Sequence, residues 1–353
     1  MYALARPLLF ALDPHAAHAL GTFALGAIEH VAWLRERVRK FTAPPASLRR
    51  EVLGLSFASP IGLAGGFDKN AQRPRSLAAL GFGFLELGTV TARAQEENPR
   101  PNMFRLPLDH ALINRLGFPN EGAAAVAARF AAGGGAKAAG VPVGFSIGKS
   151  RVVDVGEDPE PILADYIESF RAVHPVADFV VVNVSSPNTK NLRALQGPAL
   201  ARTLFHGLAE ENARLGKKPL LVKIAPDLDD AGMDQLFAVV SETELDGIVA
   251  TNTTLARRHL VTSNVTVADI GAGGLSGPPV RTRAIEVVRR ARAALPKIAI
   301  IGVGGVETGT DAKALLDAGA DLVQLYTGFI YRGPWTARSI ARELASLSPP
   351  SAR

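Results

Sequence analysis

The run Asn183-Val184-Ser185-Ser186-Pro187-Asn188-Thr189 concentrates side chains that could do chemistry. Each Asn amide offers two donors and an acceptor, and each hydroxyl can donate and accept. A Ser hydroxyl can also serve as a base or nucleophile when it is assisted. The run follows Phe179-Val180-Val181-Val182, an apolar β-branched stretch that reads as a fully buried strand. Pro187 stiffens the turn that follows. A loop of this kind at the end of a rigid strand is where a reactive site is expected. Taken alone it also reads as an ordinary Asn/Ser/Pro turn, so its weight depends on how the other strands end.

Two lysines sit at comparable positions. Lys69 follows Gly65-Gly66-Phe67-Asp68, and Lys223 lies in Val222-Lys223-Ile224-Ala225-Pro226-Asp227. A Lys directed into an apolar interior is costly unless it meets an anion. That anion is a ligand, a reduced cofactor held by Lys223, or a neighbouring Asp68 or Asp227. Asn114, Asn183, Asn188 and Asn252 together suit a ring with imide and amide groups, such as a pyrimidine. Gly302-Val303-Gly304-Gly305 and Tyr326-Thr327-Gly328 are small-residue turns of the kind whose backbone N–H groups hold a phosphate. A flavin mononucleotide would use such a site and lay its ring nearby.

The elements that must position these residues repeat as strand, turn and helix. Eight short apolar strands are expected, at 61–65, 84–88, 143–147, 179–182, 220–224, 247–250, 298–303 and 322–325. Gly81 and Gly319 stand where helix C-caps belong. Eight such units predict an α/β fold, a (β/α)8 TIM barrel, with its chemistry at the C-terminal strand ends. A doubly wound open sheet is the alternative, but no GxGxxG follows the first strand. The stretch from Thr89 to Pro142 exceeds one crossover and predicts inserted structure.

Residues 1–46 form a separate expectation, with the barrel over 47–353. Leu8, Leu9, Phe10, Leu20, Phe23, Ile28 and Trp33 are apolar, Asp13-Pro14 reads as a helix start, and Arg35, Arg37, Arg39 and Lys40 follow. Two amphipathic helices and a linker from Phe41 to Ala46 are predicted. They suit a monotopic anchor on an anionic membrane or a helical cap on the barrel. The longest uncharged stretch, 14–28, is too short to span a bilayer. Net charge is +6 with aromatics at 6% and no long basic run, which argues against nucleic acid. The chain has no Cys, which excludes disulfides, thiolate zinc sites, iron–sulfur clusters and a Cys base. Its seven His show no metal-binding spacing, so no metal is expected.

In order along nearly the whole chain, Gly66–Lys69, Glu86–Thr91, Asn114–Phe118, Asn183–Asn188, Val222–Pro226, Thr251–Thr254, Gly273–Gly277, Gly302–Gly305 and Tyr326–Gly328 resemble the motifs of dihydroorotate dehydrogenase. The N-terminal segment resembles that of the quinone-dependent, membrane-associated class 2 enzymes. The resemblance implies FMN, oxidation of (S)-dihydroorotate to orotate in pyrimidine biosynthesis, and electron transfer to a membrane quinone. It further implies peripheral attachment to the cytoplasmic side of the inner cell membrane. Class 2 enzymes use a Ser base where class 1 enzymes use Cys, and Ser186 stands at that position.

Carried over, the flavin contacts are Gly65, Gly66, Phe67, Asp68, Lys69, Thr89, Ser146, Asn183, Lys223, Thr251, Gly277, Gly305, Tyr326 and Thr327. The substrate contacts are Lys69, Asn114, Arg115, Leu116, Gly117, Phe118, Asn183, Asn188, Asn252 and Thr253. His18, Arg105 and Tyr326 fall at quinone positions. Ser146 departs from the family pattern, which usually has Asn there. Ser186 would take the C5 proton of dihydroorotate while C6 gives up a hydride. Thr189 would pass the proton on, and Phe118 would shield the site. Another FMN barrel oxidoreductase would keep the phosphate turns and Lys223 without the Asn set. A binding protein would keep the barrel without turnover.

Overall fold

The computed structural model describes residues 2–156 and 158–347. Eight parallel strands pair in chain order and close on themselves: Ile61–Leu63, Phe84–Val90, Val143–Ile147, Phe179–Asn183, Leu220–Ile224, Gly247–Ala250, Ala299–Val303 and Leu322–Leu325. Every residue of these strands is buried, as expected when helices cover the outside and side chains fill the lumen. The fold is the TIM barrel expected from the sequence, and Gly81 and Gly319 follow helices with φ of +95° and +113°.

The lumen is stratified. Its lower part is an apolar plug in which Phe57, Phe84 and Phe179 meet edge to face. Small residues make room for these rings. A Cβ on Gly62 would lie 2.3 Å from the Phe84 ring, and one on Gly144 would lie 2.1 Å from the Phe179 ring. Toward the C-terminal strand ends the lumen turns polar, with Glu86, Asn183, Lys223, Thr251 and Gln324 all buried.

The insertion after the second strand contains a hairpin, Met103–Leu106 with Ala111–Asn114. A third strand, Gly274–Ser276, pairs antiparallel with it and brings Asn114 opposite Gly274. Leu106, Ala111, Ile113 and Leu275 give this sheet its own small core. The sheet carries Asn114, Ser276 and Gly277 to the barrel mouth.

The N-terminal region holds three helices where two were expected: Tyr2–Ala11, Pro14–His30 and Ala32–Thr42. Asp13 caps the second, accepting from the N–H groups of His15 and Ala16. The unexpected break is at Val31, which is extended at φ −96°, ψ 102°. No Gly or Pro marks it. Arg35 takes the place of a capping residue, donating to the Ile28 and Glu29 carbonyls at 3.2 and 2.7 Å. The expected linker is also shorter. Phe41 and Thr42 are helical, and Thr42 is buried with Oγ1 donating to Ala79 O at 2.6 Å.

The helix Pro14–His30 is pinned to the barrel through Glu29. This buried carboxylate accepts from Arg75 Nε at 2.8 Å and from Ser76 N at 2.7 Å. Glu29→Ala is expected to weaken this attachment by about 2 kcal/mol, the scale for hydrogen bonds to a charged group. Faster hydrogen exchange in residues 14–30, with the barrel strands unchanged, is the measurement that checks it.

Candidate active site

The C-terminal strand ends enclose a cavity of about 1020 Å³ of empty space, part of it open to solvent. Its wall brings together Gly65, Gly66, Lys69, Thr89, Asn114, Leu116, Gly117, Phe118, Asn183, Ser186, Asn188, Lys223, Thr251, Asn252, Thr253, Gly277, Gly305, Tyr326 and Thr327. These residues come from every barrel strand end except the third, and from the hairpin sheet. The third strand reaches the wall only through Ser146, which stands behind it and shares a 2.9 Å hydrogen bond with Thr89 Oγ1.

The loop after the fourth strand resolves its two serines. Ser185 is fully buried: its Oγ donates to Asn183 Oδ1 at 3.2 Å and accepts from Asn252 Nδ2 at 3.0 Å. Ser186 faces the cavity, and its Oγ accepts from Asn188 N at 3.2 Å. A donor on Oγ favours negative charge there and so favours loss of the hydroxyl proton. Arg193 fixes the base of this loop. It donates to Ser185 O at 3.0 Å and Thr253 O at 2.9 Å, and pairs with Asp227 at 2.7 Å.

The amides form two hydrogen-bonded groups, Asn183 with Asn252 and Asn188 with Asn114. Asn183 Nδ2 donates to Thr89 Oγ1 at 3.0 Å, and Asn188 Nδ2 donates to Asn114 Oδ1 at 3.1 Å. Asn252 Oδ1 accepts from Thr253 N at 2.7 Å. Because Asn188 spends a donor on Asn114 Oδ1, the Asn114 amide N–H groups and the Asn188 carbonyl remain for a ligand. Thr253 Oγ1 is buried without a protein partner on the same wall.

Neither lysine pairs with its neighbouring aspartate. Lys69 Nζ donates to Gly66 O at 2.7 Å, while Asp68 accepts from the backbone N–H groups of Gln72 and Arg73. Burial pushes the Lys69 ammonium down to about 8, against the opposing pull of Asp68 and Glu97. Lys223 Nζ meets Glu86 Oε1 at 3.2 Å, deep in the lumen. Glu86 also accepts from Gln324 Nε2 at 2.9 Å. Gln324 was not foreseen as a wall residue. A lone Gln inside the buried strand Leu322–Leu325 was its only signal. Val303, Gly304 and Gly328 of the expected phosphate turns line the wall, and Ser276, Val280, Val306 and Leu325 line it beyond the expected set.

Several expected residues lie elsewhere. Phe67 and Asp68 line a second cavity, beneath the helix Pro14–His30, rather than the first. Arg115 turns away from the wall: it donates to the Ile270 and Ala272 carbonyls and lies 4.6 Å over the Phe104 ring. His18 lines the second cavity. The edges of Phe67 link it to the first cavity, with ring centroids 5.9 Å from His18 and 5.7 Å from Tyr326. Burial pushes the Tyr326 phenol up to about 12, so it stays neutral. Arg105 holds the turn between the first two helices, donating to Leu12 O at 2.7 Å with Phe10 under its guanidinium.

One part of the wall is shaped for a phosphate-bearing group. A Cβ on Gly277 would meet His110 O at 2.7 Å, one on Gly305 would meet Arg281 Cβ at 2.7 Å, and one on Gly328 would meet Val306 O at 2.1 Å. Only glycine allows the backbone this close approach. The N–H groups of Gly305, Thr327 and Gly328 have no partner among the described backbone bonds. They can therefore hold an anion. Among the described residues no cluster of His, Cys, Asp or Glu is placed to hold a metal ion.

A closed barrel with a glycine phosphate cradle, a lumenal lysine and an Asn-lined pocket defines a cofactor-dependent barrel enzyme. The family profile described as dihydroorotate dehydrogenase matches residues 47–347. A relative named dihydroorotate dehydrogenase (quinone), from Clavibacter michiganensis subsp. michiganensis, is 48% identical over 344 residues, 96% of this chain and 97% of the relative. One of the same name from Leifsonia xyli subsp. xyli is 49% identical over 336 residues, 95% of each chain. The crystal structure of the Eimeria tenella dihydroorotate dehydrogenase in complex with ferulenol superposes with a TM-score of 0.83 at 34% identity, covering 95% of this chain and 91% of that one. The chain belongs to the dihydroorotate dehydrogenase family, whose members are flavin-dependent oxidoreductases.

The depressed Lys69 pKa has a direct consequence. Below about 8 the ammonium is charged, and it is lost as pH rises through that value. The affinity of the cavity for the carboxylate ligand orotate is expected to fall on the order of tenfold per pH unit above that point. Titration of orotate binding from pH 6 to 10 measures it, and Lys69→Met should flatten the profile.

Proposed function

We propose that this protein oxidises (S)-dihydroorotate to orotate, with FMN in the glycine-lined cavity and a membrane quinone as final electron acceptor. The observation that carries this reading is the meeting of Ser186, Lys69, Lys223 and the Asn114–Asn188 pair with the glycine cradle in one cavity. FMN, held by Gly305, Thr327, Gly328 and Lys223, would supply the hydride acceptor for C6 of the substrate and the electron relay to the quinone.

The residues divide the remaining work. The Asn114, Asn188 and Asn252 amides and the Thr253 hydroxyl hold the pyrimidine ring. Lys69 meets its carboxylate. Ser186 Oγ takes the C5 proton, aided by the Asn188 N–H on that oxygen. Thr189, whose Oγ1 is buried without a protein partner, hands the proton on. Phe118 and Leu116 cover the pocket and keep bulk water from it. Gly305, Thr327 and Gly328 hold the phosphate, and Lys223 offsets charge on the reduced ring.

The N-terminal helices, residues 1–46 with the linker, form the quinone-entry and membrane segment in this reading. Leu8, Leu20, Phe23 and Trp33 expose half or more of their surface, Phe23 80%. Arg35, Arg37, Arg39 and Lys40 share the helix Ala32–Thr42 with Trp33. That combination suits peripheral contact with an anionic leaflet. No helix among the described residues is long and apolar enough to cross a membrane. The second cavity beneath these helices, bordered by His18 and Phe67, supports a quinone route toward Tyr326.

Ser186→Ala is expected to slow flavin reduction by dihydroorotate 10²–10⁴-fold, on the order typical for a lost general base, with FMN content unchanged. Anaerobic stopped-flow absorbance measures this, and a rate near wild type would sink the assignment. For the membrane segment, Phe23→Asp is expected to reduce co-sedimentation with vesicles of anionic phospholipid on the order of tenfold. Unchanged partitioning would remove that support.

A further inference from the structure

Glu86 lies just behind the cavity wall and touches three residues that form it. Its Oε1 accepts from Lys223 Nζ at 3.2 Å, and its Oε2 accepts from Gln324 Nε2 at 2.9 Å. A Cβ on Gly65 would sit 2.2 Å from its Oε1. Glu86 is 1% exposed and Lys223 5%, so neither charge is relieved by water. Each must be offset by the other.

The contact with Gln324 settles the orientation of that amide. An ionised carboxylate only accepts, so the NH₂ end of Gln324 must face Glu86. The carbonyl end is then left over. Gln324 Oε1 is buried and has no hydrogen-bond partner in the protein, although the residue lines the cavity. A buried acceptor left unpaired in a ligand cavity calls for a donor on the ligand.

We propose that Glu86 is a positioning residue for the cofactor. It holds Gln324 so that its carbonyl accepts a ring N–H of the bound flavin, and its charge offsets Lys223 so that the reduced form is not overstabilised. The inference rests on the assignment of FMN to this cavity. A bare Lys223 cation would favour the electron-rich reduced cofactor and raise its reduction potential. With Glu86 beside it, the pair is close to neutral. Glu86 thereby keeps the cofactor able to give its electrons away.

The test is Glu86→Gln in the full-length holoenzyme, with the midpoint potential of bound FMN followed by spectroelectrochemistry. Removing the negative charge is expected to raise the potential by about 30 mV or more, a tenfold shift in binding of the reduced over the oxidised form for a two-electron couple. FMN-loaded Glu86→Gln protein with an unchanged potential overturns the proposal. Should that variant purify without FMN, Gln324→Met decides, because it keeps the Glu86–Lys223 pair while removing the acceptor together with its Nε2 donor to Glu86. FMN is then expected to bind at least tenfold more weakly, and wild-type affinity overturns the proposal. Wild-type protein that takes up no FMN would refute the cofactor assignment itself, which is a separate outcome.

Discussion

The structure turns on one boundary inside the barrel, where an apolar plug gives way to a buried ion pair. Below it, Phe57, Phe84 and Phe179 fill the lumen as any core is filled. Above it, Lys223 and Glu86 face each other at 3.2 Å with Gln324 alongside. Breaking such a pair leaves an uncompensated charge in a dry interior, which is far costlier than the pair itself. The polar layer is therefore all or nothing. It persists because the plug beneath excludes water, and Gln324 Oε1 keeps its free lone pairs for a ligand. Gly65 and the glycines of the cradle follow from the same crowding, since a methyl group at those positions would collide with side chain or backbone.

Much of the fold was legible in the chain. Eight apolar runs of strand length, separated by helical stretches and ended by small or polar residues, lead to a parallel barrel. Asp13-Pro14 and Gly81 marked their helix ends because caps are local chemistry. The break at Val31 was not legible. Its cap is Arg35, a long side chain reaching back to carbonyls six and seven residues earlier, and no short-range rule describes that.

The site divides along the same line. Residues at strand ends were placed on the cavity wall by the barrel itself, as with Ser186, Lys69 and Asn252. The difference between Ser185 and Ser186 was invisible, because it depends on Asn252, 67 positions from Ser185. Glu86 and Gln324 are 238 positions apart, and each looks like an isolated polar residue in an apolar strand until the barrel closes. Phe67, Asp68, Ser146 and Arg115 show the opposite limit. Phe67, Asp68 and Arg115 neighbour wall residues in sequence but are directed elsewhere, and Ser146 stands behind the wall at the end of the third strand.

The three-stranded sheet beside the mouth bears on how the protein assembles. Its strands come from the insertion after the second barrel strand and from the loop after the sixth, so that Ser276 Oγ reaches Leu112 O across 164 positions. Contacts of that separation form late, after the loop-closure entropy of the intervening chain has been overcome. Gly277 and Asn114 belong to the cavity only once that strand has docked. A ligand that needs both recognises the finished barrel and not its halves. Its binding free energy then adds to the stability of the whole fold by mass action, so that cofactor supply and folding yield are thermodynamically linked.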